Sequence, residues 1–179
     1  MKNGGTIKMN KINILISEEE IQKRIKEIAG QIEKDYENEE LIFLGILKGS
    51  VPFMWELAKN MKKNVQFEFI EVSSYKGTES TGKITLNKDI SKSIENKNVI
   101  IIEDIIDTGR TLKYLKEHLL NKNPKSLKIA TLLSKPSRRL EEIDVDYIGF
   151  TIEDKFVVGF GLDYDQNLRN LPYIGYLEN

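Results

Sequence analysis

Residues Asn98–Leu112 read NVIIIEDIIDTGRTL. Four β-branched apolar residues, Val99 to Ile102, run into Glu103 and Asp104; Asp107 follows three positions later, then Thr108-Gly109. A short, unbroken β-branched run reads as a strand buried on both faces, the kind found inside parallel sheets. RTLKYLKEHLL, 110–120, carries Leu112, Leu115 and Leu119 at helical spacing and reads as an amphipathic helix. Strand, acidic turn and helix in this order make one half of a β-α-β unit. The acids then stand at the carboxyl end of a central strand, where such sheets bind ligands.

The flanking sequence extends that unit. Ser17 with Glu20 forms a capping box, and Ile21, Ile25, Ile28 and Ile32 follow on one helical face, so a helix is expected over about 18–35. LIFLGIL, 41–47, is a buried strand. SVPFMWELAKNM, 50–61, is a helix opened by Ser50, with Val51, Met54, Leu57, Ala58 and Met61 on its inner face and Trp55 assigned to the core. VQFEFIEVS, 65–73, alternates as a strand; SYKGTESTGK, 74–83, is a polar loop; ITL opens a short strand; SLKIATLLS, 126–134, is another buried strand. The order predicts an α/β fold, an open and mostly parallel twisted sheet with helices on both sides. Beyond residue 134 the pattern changes to DYIGF, KFVVGF and YIGYL, which are expected to form a small cap over one end of the sheet.

The chain has 179 residues, 40% hydrophobic and 31% charged, which suits one soluble domain. Residues 1–10 read as a disordered extension, a late start or an expression scar, and 11–179 as a single domain. Twenty-seven basic against 28 acidic residues leave a net charge of −1, with no bulk attraction to nucleic acid or anionic membrane. No cysteine is present, which excludes disulfides, thiol catalysis and cysteine-ligated metals. No apolar run is long enough for a signal core or a membrane span. The expected location is cytoplasmic.

The loop Asp107-Thr108-Gly109-Arg110-Thr111 combines a helix N-terminus, a glycine allowing close approach and two hydroxyls, the makings of a phosphate cradle. Acids beside a phosphate would repel it unless a divalent cation lies between, and Mg²⁺ typically takes one or two carboxylates plus ligand oxygens. The plainer alternative is that the acids and Thr merely cap a helix. A decoy lies nearby: GTESTGK, 77–83, has P-loop spacing, but Ile84 stands where a Ser or Thr must reach the metal, and no helix pattern follows. His118, the only histidine, sits among helix residues and is expected at the surface or half-buried, outside the chemistry.

The apolar strand, paired acids and Asp-Thr-Gly closely resemble the phosphoribosyl-pyrophosphate (PRPP) signature of the type I phosphoribosyltransferases. Further stretches resemble the 6-oxopurine members of that family, in the same order along residues 11–178. By this resemblance, Leu47-Lys48-Gly49 is a loop whose strained peptide presents Lys48 and Gly49 to pyrophosphate. Ser74-Tyr75 begins a lid that excludes water. Lys135, in LLSKPSRR, donates to the oxygen at purine C6; Arg138 and Arg139 are left as a solvated basic turn. In KFVVGFGLDYDQNLR, 155–169, Phe156 stacks on the base, the Val157 backbone pairs with its edge, Asp163 joins a second metal site beside the base, and Arg169 contacts pyrophosphate.

The resemblance implies a core over about 36–134 and a C-terminal hood over about 135–179 joined by the N-terminal segment. Glu103 and Asp104 would hold Mg²⁺, residues 107–111 the 5-phosphate, and Asp107 would act as the base at purine N7. The implied reaction carries ribose 5-phosphate from PRPP to N9 of hypoxanthine or guanine. The implied partners are these small molecules and further copies of the chain in a homodimer or homotetramer, with no nucleic acid and no membrane. Two competitors stay open: a PRPP-sensing regulator that binds nucleic acid, for which the charge gives no support, and an enzyme for xanthine or another base.

Overall fold

The computed structural model describes residues 12–74 and 84–177. Six strands form the main sheet: β2 (Leu41–Ile46), β3 (Gln66–Ser74), β4 (Ile84–Lys88), β5 (Asn98–Ile106), β6 (Ser126–Ser134) and β7 (Tyr147–Thr151). Their spatial order is β4-β3-β2-β5-β6-β7, all parallel except the antiparallel edge strand β4. The buried strands read as unbroken apolar runs because each feeds two cores. In β2, Leu41 and Phe43 face one cluster with α1 (Glu18–Asp35) and α2 (Val51–Lys59), while Ile42, Leu44 and Ile46 face the other with α3 (Arg110–Leu120). Burial of Leu112, Leu115 and Leu119 docks α3, each worth about 1.5–3 kcal/mol.

The capping box of α1 is formed as expected: the Glu20 amide donates to Ser17 Oγ at 3.3 Å, and the Ser17 amide to Glu20 Oε2 at 2.8 Å. α2 departs from expectation in three ways. Ser50 does not cap it; Ser50 Oγ instead donates to the Ile46 carbonyl at 2.6 Å, tying the helix start to the end of β2. Phe53 is buried where Val51 was expected, and Val51 is exposed. Trp55 is not core: it is 57% exposed, with its ring edge-to-face against Phe67 at 6.5 Å. Met54 and Leu57 lie on both candidate stripes, so spacing alone left the rotation of the helix open by one position.

A second sheet, β1-β9-β8, is antiparallel and comprises β1 (Ile12–Ile16), β8 (Val157–Val158) and β9 (Ile174–Leu177). Of the three pieces expected to form a cap, KFVVGF and YIGYL do so. DYIGF does not: it becomes β7 and extends the main sheet beside β6. A two-sided apolar piece following a buried strand finds more surface to bury in the sheet than in a cap.

The strand order positions the site. From β2 the chain passes through α2 to β3 on one side, whereas β5 lies on the other side of β2 and leads through α3 on the opposite face. The carboxyl ends of β2 and β5 therefore flank the point where the sheet reverses direction, and ligands of open α/β sheets bind in that crevice.

Candidate active site

Three loops meet at this crevice. After β2, the Leu47–Lys48 peptide is cis and Lys48 is exposed, while Gly49 is buried. A side chain on Gly49 would place its Cβ 1.6 Å from Asp104 Oδ2, so only glycine lets this carboxylate lie against the loop backbone. On the other side, a Cβ on Gly161 (φ 100°) would fall 2.0 Å from the Gly49 carbonyl oxygen. Asp104, Gly49 and Gly161 are thus stacked backbone-close. Just beyond Gly161, Asp163 Oδ1 pairs with Arg169 Nη2 at 2.9 Å, Asp163 Oδ2 accepts from the Gln166 amide at 2.8 Å, and Arg169 Nη1 donates to the Gly161 carbonyl at 2.6 Å.

The second loop links β5 to α3. β5 runs two residues past the expected strand end, so Glu103 and Asp104 lie within its last turn of pleat. Gly109 takes φ 83° and starts α3, which has no side-chain cap and no acid in its first turn. The Arg110 amide reaches only Thr108 Oγ1, at 3.5 Å. The acids therefore do not cap the helix, and the first-turn amides with the positive end of the dipole face the crevice. A cavity of about 230 Å³ opens here, lined by Ile46, Val72, Glu103, Asp107, Thr108, Gly109 and Thr111 among others. The shape and donor set suit a monophosphate.

Glu103 is 8% exposed, and its Oε1 accepts from the Asp104 amide at 3.2 Å. Burial, then the charge of Asp104, pushes the Glu103 carboxyl well above the usual carboxylate range. Among the described residues neither acid has an ion-pair partner, so together they suit a cation. No group of three or more acidic or histidine side chains is gathered for a metal among the described residues. That fits a Mg²⁺ ion held by one or two carboxylates and otherwise by ligand oxygens, rather than a closed protein cage. The sign of the Glu103 shift gives a test. A raised folded pKa contributes full stability below the unfolded value, loses it as pH climbs, and has lost all of it above the folded pKa. Without Mg²⁺, Glu103→Gln should therefore melt at a higher temperature than the parent at neutral pH, and the gap should close toward pH 4. An equal or lower melting temperature at neutral pH would contradict this.

The third segment follows β6. Lys135 is buried, and its Nζ donates to the Lys155 carbonyl at 2.6 Å and lies 3.5 Å from Asp154 Oδ1. Phe156 is 59% exposed and meets the Tyr164 ring edge-on at 5.9 Å; Val157 is buried in β8 opposite Tyr176. Phe156 is therefore not part of the core, and its ring is open to solvent beside the buried lysine. Of the basic turn expected at Arg138 and Arg139, Arg138 is exposed as expected but ion-paired, and Arg139 is not solvated. Arg138 Nε donates to Asp107 Oδ1 at 2.9 Å and its Nη1 lies 3.3 Å from Asp154 Oδ2. Arg139 turns inward behind Gly109, Nη2 donating to Ser134 Oγ at 2.9 Å, with Nη1 buried and unpartnered among the described residues. Sequence reasoning gave Asp154, Arg138, Arg139 and Tyr164 no place beside the candidate residues they contact. Only the Ser-Arg-Arg run next to Lys135 offered a signal.

Ser74 is the last residue of β3; Tyr75 and the remainder of the expected lid lie outside the described residues, as does the P-loop decoy. Ile84, after the decoy, begins strand β4 and not the helix a P-loop requires. His118 is half-buried on α3, its Nε2 3.0 Å from Asp89 Oδ2, away from the crevice.

The model of the phosphoribosyl transferase domain family matches residues 14–165. The chain belongs to this family, and its fold is that of a type I phosphoribosyltransferase. It is 52% identical over 167 residues, 93% of each chain, to the hypoxanthine-guanine phosphoribosyltransferase of Staphylococcus epidermidis. It is 48% identical over 173 residues, 96% of each, to the enzyme of the same name from Streptococcus mutans. The crystal structure of a hypoxanthine phosphoribosyltransferase from Staphylococcus aureus superposes with a TM-score of 0.90 at 48% identity, covering 98% of this chain and 97% of that one.

Proposed function

We propose that this chain is a purine-salvage enzyme. It transfers the 5-phosphoribosyl group from PRPP to N9 of hypoxanthine, and of guanine, releasing pyrophosphate. One observation carries the reading: an uncapped helix start with Gly109 in the left-handed conformation lies beside two unpaired carboxylates at the sheet's switch point. A phosphosugar with its cation fits this arrangement, and relatives at about half identity over nearly the whole chain bear the corresponding name. The direct test is nucleotide formation from PRPP and Mg²⁺ with hypoxanthine, guanine, xanthine and adenine in turn. Turnover of none of them ends the proposal. Turnover of xanthine alone moves it to the competing base.

Each residue then has a task. The 107–111 loop binds the 5-phosphate through the α3 amides and the Thr108 and Thr111 hydroxyls. Binding at this remote group fixes the sugar so that C1′ meets N9. Lys48 and the Gly49 backbone, with Arg169, hold the pyrophosphate end. Glu103 and Asp104 would hold one Mg²⁺ and Asp163, now paired with Arg169, would join a second; such ions would supply positive charge against the leaving pyrophosphate. Breaking the C1′–O bond leaves positive charge on the ribose, which the Asp107 carboxylate opposes. Asp107 also accepts or shares the proton at purine N7 as N9 bonds to C1′. Phe156 stacks on the base, the Val157 backbone pairs with its edge, and Ser74-Tyr75 begins the segment that excludes water from the cationic sugar.

Lys135 sets the choice of base. An ammonium has donors only, so it accepts a 6-oxo group and opposes a 6-amino group. Its position, held by the Lys155 carbonyl just before Phe156, supports contact with the exocyclic atom of a stacked purine. Lys135→Ala should raise the hypoxanthine KM by about 10-fold or more and relax rejection of adenine. An unchanged KM with unchanged preference removes Lys135 from this role.

Among the described residues no helix is long and apolar enough to cross a membrane. A cytoplasmic location accords with an intracellular donor such as PRPP. Self-association into a dimer or tetramer is supported by the exposed Trp55 and Phe67 on one side of α2 and β3, since exposed aromatics of this size often mark interfaces. A monomeric mass in solution at micromolar concentration would remove that part of the proposal.

A further inference from the structure

Four charged side chains from three segments stand in a row beside the crevice. Lys135 Nζ is 3.5 Å from Asp154 Oδ1, and Asp154 Oδ2 is 3.3 Å from Arg138 Nη1. Arg138 Nε continues the row, donating to Asp107 Oδ1 at 2.9 Å. A single 3₁₀ turn joins the two cations, with the Arg138 amide donating to the Lys135 carbonyl at 3.2 Å. The side chains of Asp107, Arg138 and Asp154 are 44–49% exposed, whereas that of Lys135 is 9% exposed.

Half-exposed ion pairs contribute little to stability. The row is therefore poorly explained as a brace for the fold. Its two ends are the side chains assigned above to purine O6 and purine N7, and both tasks need placement to within a fraction of an ångström. Lysine has a flexible four-carbon stem and does not hold such a position unaided. Arginine's planar fork can engage two carboxylates in one fixed geometry. Asp154 also lies two residues before Phe156, so the same carboxylate ties the stacking platform to the base-recognising lysine.

We propose that Asp154 and Arg138 are positioning residues. Together with the Lys155 carbonyl, which Lys135 Nζ meets at 2.6 Å, Asp154 sets the Lys135 ammonium, and Arg138 sets the Asp107 carboxylate against the same Asp154, so one bridge aligns recognition at O6 with proton handling at N7. The proposal rests on the roles of Lys135 and Asp107 given under the proposed function.

The test uses the full chain with Asp154→Asn, Arg138→Gln, Arg138→Lys and the Asp154→Asn/Arg138→Gln double variant, with hypoxanthine and PRPP varied separately and adenine as the competing base. Because each change breaks the same bridge, Asp154→Asn and Arg138→Gln should each raise the hypoxanthine KM and lower kcat, with a combined loss of about 10-fold in kcat/KM, and each should narrow the preference over adenine. The double variant should be little worse than either single one, because both break the same bridge. Arg138→Lys keeps the charge but not the fork and should recover part of kcat. The PRPP KM should stay within about twofold throughout, a split that general loosening of the site does not produce. Wild-type kinetics in both single variants overturn the bridge, as do losses that simply multiply in the double variant or a PRPP KM that rises in step. A parent enzyme that forms no nucleotide from hypoxanthine overturns the functional reading itself, and this proposal with it.

Discussion

Asp107→Asn should leave the fold and nucleotide binding intact and lower turnover by about 10²-fold or more. The substitution is isosteric. The backbone bonds that hold the phosphate loop, from the Leu140 and Glu141 amides to the Thr108 carbonyl at 3.0 Å each, do not involve the Asp107 side chain. An asparagine Oδ1 still accepts from Arg138 Nε, the present bond being 2.9 Å. Two things disappear: the ability to take a proton from N7, and the negative charge facing a sugar that becomes cationic as its bond to pyrophosphate breaks. Steady-state kcat with saturating PRPP and hypoxanthine measures the first effect, and titration calorimetry with the product nucleotide verifies that binding survives. Undiminished turnover would remove Asp107 from the chemistry. Lost nucleotide binding would instead make it a phosphate-loop residue only.

Gly49→Ala should be nearly as damaging for a different reason. The new Cβ would arrive 1.6 Å from Asp104 Oδ2 and 2.5 Å from Asp104 Cγ. The loop has no room to lift away, because the Gly49 carbonyl oxygen is only 2.0 Å from where a side chain on Gly161 would begin. The Asp104 carboxylate is the part that can move, and in rotating it gives up the 2.8 Å bond between its Oδ1 and the Ile105 amide. Rotating one partly exposed carboxylate changes stability little. It does move a proposed Mg²⁺ ligand by more than an ångström, and errors of that size near the chemistry cost about 10²-fold. The expected result is a melting temperature close to the parent's, with kcat/KM for PRPP reduced about 10²-fold. Parent-like kinetics for PRPP and Mg²⁺ would contradict the placement of Asp104.

Much of this fold is legible from local pattern. The capping box and isoleucine spacing define α1 to the residue at both ends, because caps and periodicity are properties of neighbours along the chain. The apolar runs identify β2, β5 and β6, because residues buried on both faces have no polar side to show. Local pattern failed where two packings shared most of their residues. Met54 and Leu57 serve both rotations of α2, and the choice that buries Phe53 and exposes Trp55 is made by β3, where Phe67 meets the indole edge. DYIGF suits a cap strand or a sheet strand, and the open edge of β6 decides.

The site divides in the same way. Residues 98–112, read alone, determine a strand that ends in acids, a glycine turn and a helix start, and so lead to the expectation of an anion held there with a cation. This follows because amides, dipole and carboxylates lie within a few residues of one another along the chain. Which other groups surround that point was decided by the tertiary structure. The strand order sets Gly49 against Asp104, Gly161 against Gly49, and Arg138 between Asp107 and Asp154, whose partners lie 31 and 16 residues away along the chain. Side-chain distances across such separations depend on how strands order in a sheet, and no local spacing encodes them. For this reason Arg138, which resembles a surface residue in sequence, stands between two carboxylates at the mouth of the site.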